Sequence, residues 1–369
     1  MQFENVYKDK VVLVTGHTGF KGSWLSIWLH QLGAKVIGVS DNVPTTPSNY
    51  EVSKIDSFIE DIRADIKNTE AITKIIADTK PNYVFNLAAQ SLVRESYISP
   101  VETILTNAIG SINVLNAILK CKHRVNCVMI TSDKVYRNDE IKRGYVENDI
   151  IGGKDPYSAS KGMAEIAIHS FYESYFNDPK NYSKIAVARA GNVIGGGDWA
   201  MDRIVPDCIN AWSKNDTVKL RNPNSTRPWQ HVLEPLSGYL LLGSYLENDL
   251  NFNGEKYNFG PPNENDFSVM HLIREMSQLW PKSKWEITEN KISKMKEAGL
   301  LKLNCEKAVK ELNWEPVLNF EETTKMTIDW YLEYYQNKPE SMMEFSSLQI
   351  KKYINIAKNK NLAWAKNSG

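Results

Sequence analysis

The sequence predicts an α/β chain: a doubly wound parallel sheet with a smaller mixed α/β unit toward the C-terminus. Three observations support this. Short β-branched apolar runs alternate with helical patterns through the first half of the chain. Each run is apolar throughout, as expected of a strand covered on both faces. A glycine cluster separates the first run from the first helical pattern.

The first strand is expected in KVVLVTG, residues 10–16. In the helix that follows, GSWLSIWLHQLG, Trp24, Leu25, Trp28, Leu29 and Leu32 form one stripe and Gly33 is the stop. AKVIGVS is the next strand, and the two prolines of VPTTPSN break regularity after it. A helix is expected over 66–80 and a strand in PNYVFNLAA. TILTNAIGSINVLNAILKC reads as one long amphipathic helix, followed by the strand NCVMITS, a helix beginning near Tyr157 and the strand KIAVARA. Past residue 190 the texture changes. GNVIGGGDWAMDRIVPD and RNPNSTRPWQHV read as loops, DFSVMHLIREMSQLW and EKAVKELNWEP as helices. The Lys/Asn-rich stretch from about 340 reads as a peripheral helix or a frayed tail.

With 369 residues there is room for about two domains. Lys+Arg and Asp+Glu both number 44, so no global field invites nucleic acid or an anionic membrane. The N-terminus lacks an apolar signal core, and no run is long enough to span a bilayer. The four cysteines, Cys121, Cys127, Cys208 and Cys305, show neither CxxC nor metal spacing. Free thiols, a cytoplasmic setting and no metal site are expected from them.

TGHTGFKG sets Gly16, Gly19 and Gly22 between strand and helix. A tight turn there needs glycine, and a pyrophosphate needs bare N–H groups at a helix N-terminus. A Rossmann-type dinucleotide site is therefore expected, with Thr18 and Phe20 in the same loop. Asp41 ends the second strand about where a ribose-binding acid belongs. No arginine follows it to hold a 2′-phosphate, so NAD is favoured over NADP. Asp61, with Ile62 beside it, ends a strand-like segment where an acid would reach the adenine amino group. Downstream, DPYSASKGMAEI carries Tyr157 and Lys161 four apart, hence on one helix face. A phenol of pKa about 10 is a poor base at neutral pH, and a neighbouring ammonium lowers that value.

TGHTGFKG and YSASK together resemble the extended short-chain dehydrogenase/reductase family, over nearly the whole chain. The resemblance implies further NAD contacts from Leu87, Ala88, Ala89 and Gln90 and from Asn107, besides Tyr157 and Lys161. It identifies Ser132, in ITSDKVY, as the hydroxyl that binds the sugar's 4-OH. Asp133 and Lys134 then resemble the acid–base pair of sugar-nucleotide 4,6-dehydratases. With GHTGFKGSWL, AGNVIGGGDWAMDR and RPWQHVLEPLSGYL, they are similar to members acting on CDP-glucose. The implied reaction is C4 oxidation, loss of water across C5 and C6, and hydride return to C6, in deoxysugar and polysaccharide biosynthesis. Implied substrate contacts are Gln90, Arg94, Ser132, Arg189, Asn192, Asp198, Trp199, Arg203, Arg227 and His231. A dehydratase or 4-epimerase for another nucleotide sugar, and an NAD-binding sensor without turnover, are the alternatives. Residues 1–190, with about 230–262, are expected to bind NAD and 191–345 the nucleotide sugar, leaving 346–369 as an extension. The family also implies a homodimer or homotetramer, paired through helices near 101–121 and 157–177.

Overall fold

The computed structural model of the chain describes residues 2–220, 222–262, 267–288 and 301–366. Parts of the expected 191–345 unit and the last residues of the extension lie outside these. The chain begins with β1 (Val11–Thr15), α1 (Phe20–Gln31), β2 (Lys35–Ser40), α2 (Asn49–Val52) and β3 (Glu60–Arg63). It continues through α3 (Thr69–Thr79), β4 (Tyr83–Asn86), α4 (Val93–Ile98), α5 (Pro100–Ile104), α6 (Gly110–Leu119) and β5 (Asn126–Ile130). Next come α7 (Pro156–Phe171), β6 (Lys184–Ala190), β7 (Val193–Ile194), α8 (Ile204–Trp212), β8 (Thr217–Leu220), β9 (Thr226–Arg227) and β10 (Gln230–His231). α9 (Leu233–Asn248), β11 (Lys256–Phe259), β12 (Phe267–Ser268), α10 (Val269–Leu279) and β13 (Lys284–Ile287) follow. α11 (Glu306–Leu312), α12 (Phe320–Leu332) and α13 (Met343–Asn359) complete the order.

Seven strands make the central sheet, in the order β11-β6-β5-β4-β1-β2-β3. Every pairing in it is parallel. The chain starts at β1, moves out to β3, then returns to β4 on the other side of β1. That reversal opens a crevice at the carboxyl ends of β1 and β4, where ligands of such sheets bind. The apolar runs sort by parity. Val12 and Val14 of β1 and Val128 and Ile130 of β5 face the core shared with α1, α9 and α13. Leu13, Cys127 and Met129 face the core under α3, α6 and α7. β11 joins the sheet although it lies beyond residue 250, so α9 and β11 carry the chain back from the smaller unit.

Three local expectations change. The long helix expected over 103–121 is interrupted by a π turn, Leu105–Ile109. The stretch read as a loop after Gly191 contains the start of α8, which carries Pro206 in its first turn, where a missing N–H costs nothing. The C-terminal extension is no frayed tail. Ile350, Tyr353, Ile354 and Ala357 of α13 are buried, Trp28 and Tyr353 meet edge to face at 5.7 Å, and Phe3 stacks on Trp364 at 5.1 Å. Lysines and asparagines on the outer face mask this apolar stripe in the composition.

A buried carboxylate in α9 ties this extension to the rest. Glu234 accepts from Val317 N at 3.0 Å, Leu318 N at 2.7 Å and Tyr353 Oη at 2.8 Å. Burial pushes its pKa from 4.5 up to about 7, against those hydrogen bonds. A raised folded-state value means that its contribution to stability is complete below about 4.5 and is lost as pH rises through about 7. Glu234→Ala strands three donors and is expected to cost about 3 kcal/mol or more in denaturant unfolding. Glu234→Gln should flatten the dependence of Tm on pH across that window relative to wild type.

Candidate active site

At the crevice, β1 ends in a turn that admits no side chain. Gly16 has φ +72°, and a Cβ there would lie 2.8 Å from the Ala88 backbone. A Cβ at Gly22 would lie 2.1 Å from the Gly16 carbonyl oxygen. Gly19 caps α1 without a side-chain hydrogen bond, which leaves the first N–H groups of a 12-residue helix for an anion. A backbone cradle, an uncapped helix N-terminus and the exposed Asp41 at the end of β2 fit a dinucleotide. Thr18 fixes this rim by donating from Oγ1 to the Asn42 carbonyl at 2.7 Å.

The floor beside the rim holds a residue that the sequence reading missed. His17 is fully buried, with Nδ1 3.0 Å from Ser40 Oγ and Nε2 3.0 Å from Asp61 Oδ1. Burial lowers its pKa despite Asp61. Its ring fills the space that a side chain at Gly38 would need, 2.4 Å away. Asp61 also accepts from Tyr50 Oη and, at 2.8 Å, from Arg63 Nη2. It is thus a shared acceptor in a network. Ile62 packs against the core below.

Two expected cofactor contacts turn inward. Asn107 sits in the π turn, fully buried. Its Oδ1 accepts from Gln90 N at 2.9 Å, and its Nδ2 donates to Gln90 O at 3.0 Å and Ser160 Oγ at 2.8 Å. It therefore ties the loop after β4 to α7 and has no donor left for a ligand. The Gln90 side chain is likewise engaged, donating to Leu92 O at 3.0 Å and Thr103 Oγ1 at 2.9 Å. Leu87, Ala88 and Ala89 line the crevice, where Ala88 N meets Thr15 Oγ1 at 3.1 Å.

Around the carboxyl end of β5 the reactive groups converge. Ser132 caps a 3₁₀ turn, Asp133–Val135, accepting from Lys134 N at 3.2 Å and donating to Asp133 Oδ1 at 2.9 Å. Asp133 is buried, with Oδ2 against Gly191, the residue before Asn192. Lys134 is half-buried. Asp155 caps α7 through Ser158 N at 2.9 Å, and Pro156 opens it, so Tyr157 and Lys161 lie on its first turns. α7 packs against the 3₁₀ turn that Ser132 caps. Burial pushes Tyr157 up to about 12, Asp133 and Asp155 add to this, and Ser132 and Arg203 oppose it. Burial also pulls Lys161 down to about 8, against Glu165. Lys161 was expected to lower the phenol. Among the groups that shift Tyr157, Arg203 acts in the direction expected of Lys161.

Several expected substrate contacts are structural. Arg189 is fully buried: Nε donates to Glu165 Oε1 at 2.7 Å, and Nη1 to Tyr136 Oη at 2.6 Å and to Glu147 O at 2.9 Å. With Nη2 also on Glu165, it braces α7 against β6 and reaches no pocket. His231 is fully buried, accepts from Leu233 N at 3.3 Å and is lowered to about 3 by burial, hence neutral. Trp199 belongs to an aromatic cluster with Trp330, Tyr331 and Tyr334. Asp198 is buried and accepts from Arg203 Nη1 at 2.9 Å, while Arg203 Nη2 reaches Ser91 Oγ at 3.0 Å. Asp198 thus orients Arg203. Arg94 pairs with Asp202 at the surface, and Arg227 lies half-buried in β9, donating to the Thr226 carbonyl at 2.8 Å. The structure brings Ser132, Asp133, Tyr157, Lys161 and Arg203 together. Lys21 donates to Tyr239 Oη at 3.4 Å, a pairing not expected from the sequence.

The family model described as GDP-mannose 4,6 dehydratase matches residues 13–327. The CDP-glucose 4,6-dehydratase of Salmonella typhimurium is 42% identical over 355 residues, covering 95% of this chain and 98% of that one. The dTDP-glucose 4,6-dehydratase of Streptomyces antibioticus is 26% identical, covering 87% and 92%. Among solved structures, UDP-glucose 4-epimerase of Thermotoga maritima with UDP-glucose superposes with a TM-score of 0.75 at 22% identity, covering 88% and 100%. dTDP-glucose 4,6-dehydratase of Bacillus anthracis in complex with NAD gives 0.72 at 22%, covering 89% and 99%.

If Arg189 is a brace, Glu165→Ala leaves a buried guanidinium uncompensated and is expected to cost about 3–5 kcal/mol in unfolding free energy. An Arg189 that bound phosphate would instead lose ligand affinity with stability nearly intact.

Proposed function

Because the chain belongs to the GDP-mannose 4,6-dehydratase family, within the extended short-chain dehydrogenases/reductases, we propose that it converts CDP-glucose to CDP-4-keto-6-deoxyglucose and water. The observation that carries this reading is the Asp133–Lys134 pair, set at the end of β5 beside Ser132 and Tyr157. Epimerisation needs no such pair. The choice of cytidine rests on the closely similar relative from Salmonella.

The glycine turn, Thr18, Phe20, Asp41, Ile62 and the Leu87–Ala89 segment are the residues we assign to NAD. When bound, NAD supplies the acceptor for the C4 hydride and the hydride that returns to C6. Ser132 holds the sugar 4-hydroxyl, and Tyr157 takes its proton. Burial holds the phenol up to about 12, so this step requires bound substrate and NAD to favour phenolate. Ser132 and the Arg203 charge already act in that direction. Lys161, pulled down to about 8, retains most of its charge at neutral pH to support the same state. The 4-ketone acidifies C5. Lys134 removes the C5 proton while Asp133 gives one to the departing 6-hydroxyl. Lys134 returns its proton to C5 as the hydride reaches C6, and the 4-hydroxyl proton taken by Tyr157 replaces the one lost by Asp133. Arg203, Asn192 and Arg227 supply the positive and amide groups for the nucleotide diphosphate, and Arg94 lies on the sugar side.

A homodimer accompanies this reading. Ile98, Val101, Leu105 and Ile109 are exposed on the run from α4 through the π turn, and Met163 and Ile166 are exposed on α7, which packs beside α5. Such a stripe at helical spacing is a surface for a second copy. All four cysteines are free, and among the described residues no helix is long and apolar enough to cross a membrane, in keeping with a cytoplasmic setting.

Purified protein with CDP-glucose and NAD is expected to form the 4-keto product, read by its near-ultraviolet absorbance in base. A sugar epimerised at C4 without loss of water contradicts the assignment. Lys134→Ala is expected to slow water loss by about 100-fold or more. Unchanged dehydration removes Lys134 from its role. Val101→Asp with Ile166→Asp should shift the sedimenting species from dimer to monomer.

A further inference from the structure

We infer that Tyr331, on α12, is a positioning residue for the substrate's diphosphate: its hydroxyl clamps the Asp198 backbone, and the Asp198 carboxylate in turn sets Arg203 in place at the crevice. The inference rests on the assignment of Arg203 to the nucleotide diphosphate made above. Tyr331 is fully buried. Its Oη accepts from Asp198 N at 3.0 Å and donates to the Asp198 carbonyl. One hydroxyl thus satisfies both backbone groups of one residue. Burial raises the phenol pKa, so the hydroxyl keeps the proton that it donates. Asp198 lies between β7 and α8, where neither a strand nor a helix pairs these groups. A phenylalanine at 331 would fill the same space and leave both without the partner they have now.

The segment held in this way is fixed on either side of Asp198. A Cβ at Gly196 would come 2.0 Å from the Trp330 indole, and the Gly196 carbonyl accepts from Trp24 Nε1 at 2.9 Å. Gly197 has φ +84°, and a Cβ there would lie 2.6 Å from Asn49 Cβ. Trp199 donates from Nε1 to Tyr335 Oη, in the turn after α12, at 3.2 Å. The aromatic end of α12 therefore sets the course of the chain, and Tyr331 pins the one residue whose side chain reaches onward.

That side chain is fully used. Asp198 Oδ1 accepts from Ala200 N at 3.1 Å, and Oδ2 accepts from Arg203 Nη1 at 2.9 Å. Arg203 Nη2 then reaches Ser91 Oγ at 3.0 Å, one residue past Gln90 in the loop after β4. Arg203 thereby bridges the smaller unit to the crevice. A guanidinium has more N–H donors than these two partners use, and the Arg203 side chain is 33% exposed, so it can still meet an anion. A diphosphate arriving there finds the group already oriented. The rotamer freedom of a long side chain has been lost on folding instead of on binding.

The test is binding of a nucleoside diphosphate to the purified protein with NAD present, read by titration calorimetry. CDP, UDP and dTDP are compared, and the one that wild type binds most tightly is used throughout. Tyr331→Phe is expected to weaken it about tenfold while NAD affinity changes by less than about twofold. Arg203→Met is expected to weaken it at least as much, and the double variant to bind no worse than Arg203→Met alone. A hydroxyl with a merely structural role gives losses that add, and additive losses overturn the inference. So does unchanged binding in Tyr331→Phe or in Arg203→Met, or no binding of any of the three by wild type. Should Tyr331→Phe not fold, Asp198→Asn takes its place in the same cycle, breaking the next link with the aromatic cluster intact, and additive losses there overturn the inference equally. Coupling present in a protein that does not dehydrate CDP-glucose supports the clamp and counts against the dehydratase reading alone.

Discussion

The backbone of Gly16 lies against that of Ala88, and the rest of the site depends on that approach. It closes the crevice at the point where the sheet changes direction, with no space for a side chain between β1 and β4. From this seam the glycine turn leads into α1 and brings Lys21 inward. The loop after β4 leads to Gln90 and, through Asn107, to Ser160 on α7. The dinucleotide cradle and the helix bearing Tyr157 are thereby one connected unit. A change at the seam would disturb both ends of the chemistry.

A second constraint is electrostatic. Of the proposed catalytic groups, Ser132, Asp133, Tyr157 and Lys161 are buried, and Lys134 is half-buried. Glu165 shows how this works. It anchors Arg189 on β6, receives Thr131, just past β5, at 2.6 Å, and raises the Lys161 ammonium against burial. One carboxylate thus fixes where α7 sits and the charge of its lysine. Arg203 is held by Asp198 and in turn pulls down the Tyr157 phenol. Glu165 and Arg203 thus offset part of what burial does to Lys161 and Tyr157.

Much of this was legible in the sequence, for reasons that can be stated. Strands covered on both faces have to be apolar at every position, so β1, β2, β4, β5 and β6 stood out, while β3, at the sheet edge and half-exposed, was faint. The glycine spacing and the tyrosine–lysine pair are local signatures and were read as such. Arg189, His231, Asn107 and Trp199 are of residue types that suit a ligand as well as a core. Only tertiary placement separates an arginine saturated by Glu165 and Tyr136 from one that awaits a phosphate. Lys21 and Tyr239 lie more than two hundred residues apart, and His17 meets Asp61 across a sheet. No spacing rule links such pairs. The charge of Lys21 on an otherwise apolar helix was the one available signal.

The central claim is that an adjacent carboxyl and amine, placed by the end of β5, address neighbouring carbons of one hexose. A crystal structure with bound CDP-glucose tests it most directly. The account places the Asp133 carboxyl about 3 Å from the 6-hydroxyl and the Lys134 amine at a similar distance from C5. Side chains directed away from both carbons would contradict it, whatever the fold and the bound nucleotide.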